Sequence, residues 1–349
     1  MKLKKSTVNN LIAYGIVIVA FIVCQSMISA GAMTRSLRGQ LVPICVYIVM
    51  AVSLNLTVGI SGELSLGHAG FMSVGAFSGI VAATWMESAF AMENDVARLL
   101  LAMVVGGVFA GIAGVIIGVP VLRLRGDYLA IVTLAFGEII RNVLNCLYIS
   151  VDAGRVHIAF NSPKIPGELI VNGPAGATGV SRISTFTIGF VLILFTLFVV
   201  LNLINSRSGR AIMACRDSRI AAESVGINVT KYRMMAFVTS AVLAGMAGTL
   251  YGLNYSTVTA AKFDFNTSIL VLVFVVLGGI GNIWGSIIAA TLLTVLPELL
   301  RGFSDYRMLV YAVVLILVML LTNTPATRAF FARILPHRRG EHGKGGEAA

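Results

Sequence analysis

Two groups of residues have the types and spacing for chemistry. The first lies in Gly59-Ile60-Ser61-Gly62-Glu63-Leu64-Ser65-Leu66-Gly67-His68-Ala69-Gly70-Phe71. Here a carboxylate and an imidazole, Glu63 and His68, flank Gly67. An acid and a histidine can pass a proton, and glycines let backbone bend or approach closely where a solute must pass. The second is Glu138, Arg141 and Asn142, spaced i, i+3 and i+4 and therefore on one face of a helix. Such a face offers both signs of charge, which suits a zwitterion. The same spacing equally suits an internal Glu138–Arg141 ion pair. Neither group carries the partners an enzyme needs. There is no Gly-x-x-x-x-Gly-Lys-Ser/Thr loop, no His-Glu-x-x-His and no Gly-x-Ser-x-Gly. Cys24, Cys45, Cys146 and Cys215 are far apart and read as small apolar filler, neither disulfides nor metal ligands. The expectation is a chain with no catalytic residues, no metal and no cofactor of its own.

The elements that position these residues are membrane spans. Hydrophobic types make up 57% of the 349 residues and charged types 12%, whereas a soluble domain carries about 25% charged residues. With about 20 apolar residues needed per crossing, candidate spans fall near 10–30, 41–60, 64–84, 97–119, 128–149, 185–205, 234–254, 267–282, 284–299 and 308–323. The first follows Met1-Lys2-Leu3-Lys4-Lys5 and reads as a retained helix, not a cleaved signal. Glycines 278, 279 and 281 separate the eighth and ninth, which are two short spans or one broken element. The fold class is therefore all-α and polytopic, with about ten transmembrane helices and broken or re-entrant elements. Residues 1–330 form one membrane domain. Residues 331–349 form a flexible tail, polar and glycine-containing from Pro336 onward.

Charge sets the topology. Sixteen of the 26 Lys and Arg residues fall in 1–9, 120–127, 206–233 and the segment after 323, and nine in the opposite set. Basic residues mark the cytoplasmic side, so both termini are expected there. Segment 85–96 carries Glu87, Glu93 and Asp95 without a basic residue and fits an outside loop. Segment 150–183, rich in Gly, Pro and Asn, reads as a long periplasmic loop. In the basic stretch from Arg207 to Arg233, Ile212, Met213, Ile220, Ala221 and Val225 are too many apolar residues for a free loop. Ile220 to Gly226 reads as a short amphipathic helix, ended by glycine and docked on something.

Several of these segments, in this order, resemble one family. Val52-Ser53-Leu54-Asn55-Leu56 through the Gly-Glu-Leu-Ser-Leu-Gly-His-Ala-Gly-Phe run is similar to the signature of bacterial branched-chain amino-acid ABC importer permeases of the LivM type. So are Asp127-Tyr128-Leu129-Ala130-Ile131-Val132-Thr133-Leu134, Glu138-Ile139-Ile140-Arg141, and Gly226-Ile227-Asn228-Val229 to Ala236-Phe237. Ala244-Gly245-Met246-Ala247-Gly248 and Leu277-Gly278-Gly279-Ile280-Gly281 complete a match over about residues 41–300. The resemblance implies a multi-pass protein of the bacterial inner membrane that pairs with a second, related permease. Two cytoplasmic ATPases would bind the ATP, and a periplasmic binding protein would deliver Leu, Ile or Val. Glu63, Gly67, His68, Glu138, Arg141 and Asn142 become candidates for the pathway. Ala221-Ala222-Glu223 to Gly226 resembles the family's coupling helix, and Arg216 joins these four as a candidate for coupling to the ATPase. One segment departs from the pattern: Asn172-Gly173-Pro174-Ala175-Gly176-Ala177-Thr178-Gly179 stands where the family usually has a compact Gly-Gly-Pro-Asn-Gly type segment. Relatives in the family carry urea or short amides, which is the alternative cargo. A proton-coupled secondary transporter using Glu63, His68 or Glu138 is the alternative mechanism.

Overall fold

The computed structural model describes residues 34–300, except 91, 93, 123–127, 153–154 and 162–165, with scattered helical or turn residues before and after. The expected span at 10–30 is described in part, with helix over 21–28, whereas the span at 308–323 falls largely outside the described residues, as do Asp127 and the whole 331–349 segment. The chain divides into two compact units, Met1–Glu298 and Leu299–Ala349; the second consists almost wholly of residues outside the described set.

The first unit is mainly helical. Its long apolar helices are α1 (Arg35–Asn55), α2 (His68–Phe90), α3 (Asp95–Val121), α4 (Tyr128–Asn145), α5 (Phe186–Asn205) and α8 (Val229–Gly252). Short helices α6 (Arg207–Asp217) and α7 (Arg219–Ser224) join α5 to α8, and α9 (Phe265–Gly278) and α10 (Ile283–Leu299) end the unit. Seven elements are long and apolar enough to cross a membrane among the described residues, and α10 is a shorter apolar helix. Polar caps set where several begin. Asn94 accepts from Val96 N (3.1 Å) at α3, Asn228 from Lys231 N (3.1 Å) at α8, and Asp264 from Thr267 N (2.9 Å) at α9. Each satisfies an N–H that the first turn cannot pair internally.

Several boundaries differ from the sequence reading. The third span begins at His68 rather than 64, because residues 61–67 are not helical. The seventh begins at Val229 rather than 234, so Lys231 and Arg233 belong to α8 and not to the loop. The Asn228 cap and a carboxylate partner for Arg233, described below, make that early start possible.

The core is the packing of α1, α2, α3 and α8. Helices α2 and α8 run side by side through small residues: a Cβ on Gly75 would lie 2.1 Å from Gly245 O, and one on Gly248 2.0 Å from Met72 O. Helix α3 crosses the pair antiparallel, with Gly106, Gly107, Gly111, Gly114 and Gly118 facing α8. No larger side chain fits where backbone meets backbone, which is how helices associate without a hydrophobic drive in lipid. The opposite face of α3 exposes Val104, Val108, Ile112, Val115 and Val119, as a lipid-facing surface should.

The chain is not wholly helical, contrary to the all-α expectation. The expected 150–183 loop contains β1 (Leu147–Asp152), β2 (Arg155–Phe160), β3 (Glu168–Asn172) and β4 (Ala177–Thr178). These join β5 (Thr257–Val258) in an antiparallel sheet of order β2-β1-β3-β4-β5. The departing segment 172–179 is its β3–β4 connection: Gly173 and Gly176 have positive φ, and Asn172 N donates to Gly176 O (2.8 Å). Glycine spacing in this stretch resembles a loop because the hairpin needs left-handed turns. Strand β1 also takes the last residues of the expected 128–149 span, and α4 stops at Asn145. At the start of α3, Arg98 is buried and pairs with Glu87 (2.6 Å) and Asp95 (2.9 Å). The acidic 85–96 segment therefore has a basic partner just beyond it.

Candidate functional site

Helix α1 ends in a π turn, Leu56–Ile60, whose five residues are all buried. The chain then reverses at Gly62 (φ +76°), and Glu63 N donates to Thr57 O at 3.0 Å. Residues 61–67 run back as non-helical backbone until His68 meets Ser53, 2.8 Å between Ser53 Oγ and His68 Nε2. Ser53 lies seven residues before Ile60, so α2 starts about 10 Å back along α1. Non-helical backbone at this depth is tolerated only when protein covers it, and the cover is specific. Leu66 N donates to Thr133 Oγ1 (3.0 Å) on α4, and Ala69 N to Ser268 Oγ (3.2 Å) on α9. Gly67 packs so tightly that a Cβ would sit 2.1 Å from Thr133 O. Ser53 Oγ also donates to Met50 O (3.0 Å). A hydroxyl has one hydrogen to give, so His68 must be the donor through Nε2–H. His68 is 2% exposed and acts as a structural donor in this arrangement.

The basic stretch closes over this reversal. Arg233 of α8 pairs with Glu63 at 2.6 Å, and both side chains are largely buried. Arg216 of α6 donates through Nη1 to Gly59 O (2.9 Å) and also pairs with Asp217 (3.0 Å). Burial raises the Glu63 carboxyl above its ordinary value, and the positive charges of Arg233 and Arg219 oppose that shift. Cys215, Ala222 and Val229 form a small core beneath the loop, with Ile227 against it. Ile220 and Val225, in contrast, are 82% and 74% exposed. The apolar residues that suggested a docked helix thus divide. Ile212 is buried in this chain, and Ile220 and Val225 face outward. Ala222 also points inward. Ala221 and Glu223 lie on exposed surface, Glu223 pairing with Arg219 (2.9 Å), and Gly226 ends the segment with φ +80° and open space around it.

The break between α9 and α10 meets the same reversal. Gly279 and Gly281 have φ of +91° and +81°. Asn55, at the end of α1, accepts from Gly281 N (2.9 Å) and donates to Ser286 Oγ (3.0 Å). Gly59 fits against Gly281 with no room for a Cβ. The 267–299 region is accordingly two helices joined through residues 279–282 and held by Asn55. Replacing Asn55 by Ala strands the part-buried Gly281 N–H, at about 1–3 kcal/mol, while Ser286 Oγ keeps its bond to Asn282 O (3.2 Å). The melting temperature of the detergent-purified chain should fall, and an unchanged value would show that the clamp adds nothing.

Glu138, Arg141 and Asn142 lie together on α4, as their spacing requires. Glu138 pairs with Arg141 (2.8 Å), and Asn142 Nδ2 donates to Glu138 O (2.9 Å). Both charged side chains are about one-third exposed, so this chain covers the pair only in part. Glu138 also lines a small cavity with Leu66, Leu134, Phe263, Asp264 and Ser268. The six pathway candidates therefore occupy two places. Glu63, Gly67 and His68 lie along the reversal, and Glu138, Arg141 and Asn142 lie on one face of α4. The cavity lined by Leu66 and Glu138 lies between the two places. Sequence reasoning missed Asn55, Thr133 and Ser268, single polar residues inside apolar runs, and the partnership of Arg233 with Glu63. The isolated polar types were the available signal.

A bundle of apolar helices with two broken elements meeting beneath a short, partly apolar loop is the architecture of a multi-pass membrane transport protein. Residues 37–320 match the family model described as branched-chain amino acid transport system, permease component, and the chain belongs to that family. It is 36% identical over 293 residues to the high-affinity branched-chain amino acid transport system permease protein LivM of Escherichia coli K12. That alignment covers 79% of this chain and 66% of the relative. The Salmonella typhimurium LivM is 33% identical with the same coverage. The Salmonella typhimurium permease protein LivH is 26% identical over 80% of this chain and 90% of its own length. The chain thus spans 66% of the length of the LivM relatives. No solved structure matches it.

Proposed function

We propose that this chain is a permease subunit of an ATP-driven importer of branched-chain amino acids in the bacterial inner membrane. The observation that carries the reading is the family match over residues 37–320, strongest toward proteins named LivM. The likeness to LivH as well fits assembly with a second, related permease. Helix α4 supports this: only 22% of its apolar window is buried, and its Glu138–Arg141–Asn142 face needs a neighbour to enclose it. The substrate pathway lies between this face and the partner permease. Two cytoplasmic ATPases dock at α6–α7 and bind the ATP, and a periplasmic binding protein delivers the cargo to the side that carries the sheet. Both termini are cytoplasmic. The chain contributes pathway and lever, with no bond chemistry of its own. ATP binding closes the ATPase pair, the α6–α7 loop moves, and access alternates across the membrane.

The test is uptake of labelled leucine, isoleucine, valine and urea by cells with and without this chain, all partner subunits present. Loss of branched-chain amino-acid uptake alone is expected. Loss of urea uptake alone would keep the mechanism and change the cargo. Uptake that survives ATP depletion and collapses with an uncoupler would replace this reading by proton coupling through Glu63, His68 or Glu138.

A further inference from the structure

The reversal at Gly59–Gly67 is tied to the basic stretch below it by two links, one from α6 and one from the start of α8. Arg233 Nη1 pairs with Glu63 at 2.6 Å, and Arg216 Nη1 donates to Gly59 O at 2.9 Å. The links reach both sides of the Gly62 turn, and the stem of Arg216 lies over Gly62, where a Cβ would come within 2.6 Å of its Cγ. The same stretch is loosely held by its own hydroxyls. Thr57, Ser61 and Ser65 are 1–2% exposed, and none of their side-chain oxygens has a hydrogen-bond partner among the described residues. Buried hydroxyls are ordinarily paired. Between Thr57 and Ser65 the side-chain polar ties run to Arg216 of α6 and to Arg233 at the start of α8, which also donates to Cys215 O of α6 (3.4 Å). Beyond Ser65 the chain is fixed again, through Leu66 to Thr133 and His68 to Ser53.

We infer that Glu63, Arg233 and Arg216 form a strut that transmits movement of the α6–α7 loop to the Gly59–Gly67 reversal. Glu63 is then a positioning residue and makes no contact with cargo. The strut works because the pair is buried: an ion pair shielded from water resists separation, and removing one partner leaves an uncompensated charge. A loop displaced by its docked partner draws Gly59 and Glu63 with it. The reversal pivots on the fixed Leu66–His68 end, with Gly62 as the hinge. Gly59 lies against Gly281, so the same displacement reaches the α9–α10 break. Both broken elements respond to one loop.

The inference rests on the importer reading, and the two fail differently. The complete complex of this chain with its partner permease and ATPases is reconstituted in liposomes, with the binding protein and labelled leucine. Leucine imported and ATP hydrolysed are measured together. A wild-type complex without ATP-dependent leucine import overturns the importer reading before any variant is made. Given import, Glu63→Gln and Arg233→Gln are expected to lower leucine imported per ATP about tenfold while hydrolysis continues, as loss of one partner of a buried pair implies. The exchange Glu63→Arg with Arg233→Glu should return the ratio to within about threefold of wild type, the coupling signature of a direct pair. An unchanged ratio in the single variants overturns the strut. So does simultaneous loss of import and hydrolysis in an assembled complex, which would place these residues in docking. If Glu63→Gln does not assemble, Arg216→Ala decides, because that side chain is 40% exposed. A lowered ratio there supports the strut and an unchanged one overturns it.

Discussion

Gly245→Val is expected to abolish the folded chain. A Cβ at Gly245 would lie 2.3 Å from Ala110 Cβ and 2.7 Å from Gly106 O, so valine meets α3 where backbone and a methyl group are already in contact. On the other side, Gly75 is pressed against Gly245 itself. No rotamer change relieves a clash with a carbonyl oxygen, so the helices must separate. Overpacking of a core costs about 1–3 kcal/mol when side chains can shift, and the cost here should exceed that because backbone must move. Separation of α2, α3 and α8 removes the scaffold from the reversal and the break alike. The measurement is the yield and melting temperature of detergent-purified protein. Gly39→Ala serves as control, since nothing lies within 4 Å of a Cβ there. It should be neutral, or stabilise by about 0.5–1 kcal/mol as glycine-to-alanine changes in helices do. Equal melting temperatures for the two variants would show that α2, α3 and α8 do not pack through this seam.

The double substitution Ile220→Asp with Val225→Asp should stop import without unfolding the membrane part. Both side chains are mostly exposed on a loop where Ile212, Cys215 and Ala222 are buried, so no core within this chain covers them. A central apolar anchor in an interface is worth about 2 kcal/mol or more, and about 30-fold in affinity follows for each. Two carboxylates in their place add a desolvation cost. The ATPases should no longer co-purify with the membrane part, and leucine import should fall to background. The melting temperature of the isolated chain should not change. Retained co-purification would move the docking site elsewhere on the loop. Glu223→Ala and Gly226→Ala probe the same site more mildly. The Glu223 side chain pairs with Arg219 on the exposed surface, whereas Gly226 holds a left-handed turn that alanine strains.

Much of the helical architecture could be read from hydropathy, because lipid demands continuous apolar helices and tolerates few exceptions. Eight of the ten expected spans correspond to described helices, with ends shifted by a few residues. The sheet was not legible. Strands β3 and β4 are short, and the glycines between them resemble loop punctuation in a sequence read alone. Their pairing with β5, some 80 residues later, is a long-range event that no local pattern encodes. The candidate pathway residues were found by their cost: charged and imidazole side chains in an apolar context attract notice wherever they point. Their partners were harder to see. Glu63 and Arg233 lie 170 positions apart, and Asn55 and Gly281 are separated by 226.

The sequence by itself determined that this chain belongs in a membrane, which stretches are long and apolar enough to cross it, and where glycine and charge interrupt them. Those properties are local, since each depends on a residue's own transfer free energy or on neighbours within a few turns. The tertiary structure decided that His68 is a bonded donor on Ser53, that Glu63 is neutralised by Arg233, and that Ala222 faces inward while Ile220 and Val225 face out. It also decided that the two broken elements meet. A side chain's role depends on what occupies the few ångströms around it, and in a helical bundle those atoms come from elements far away in the chain.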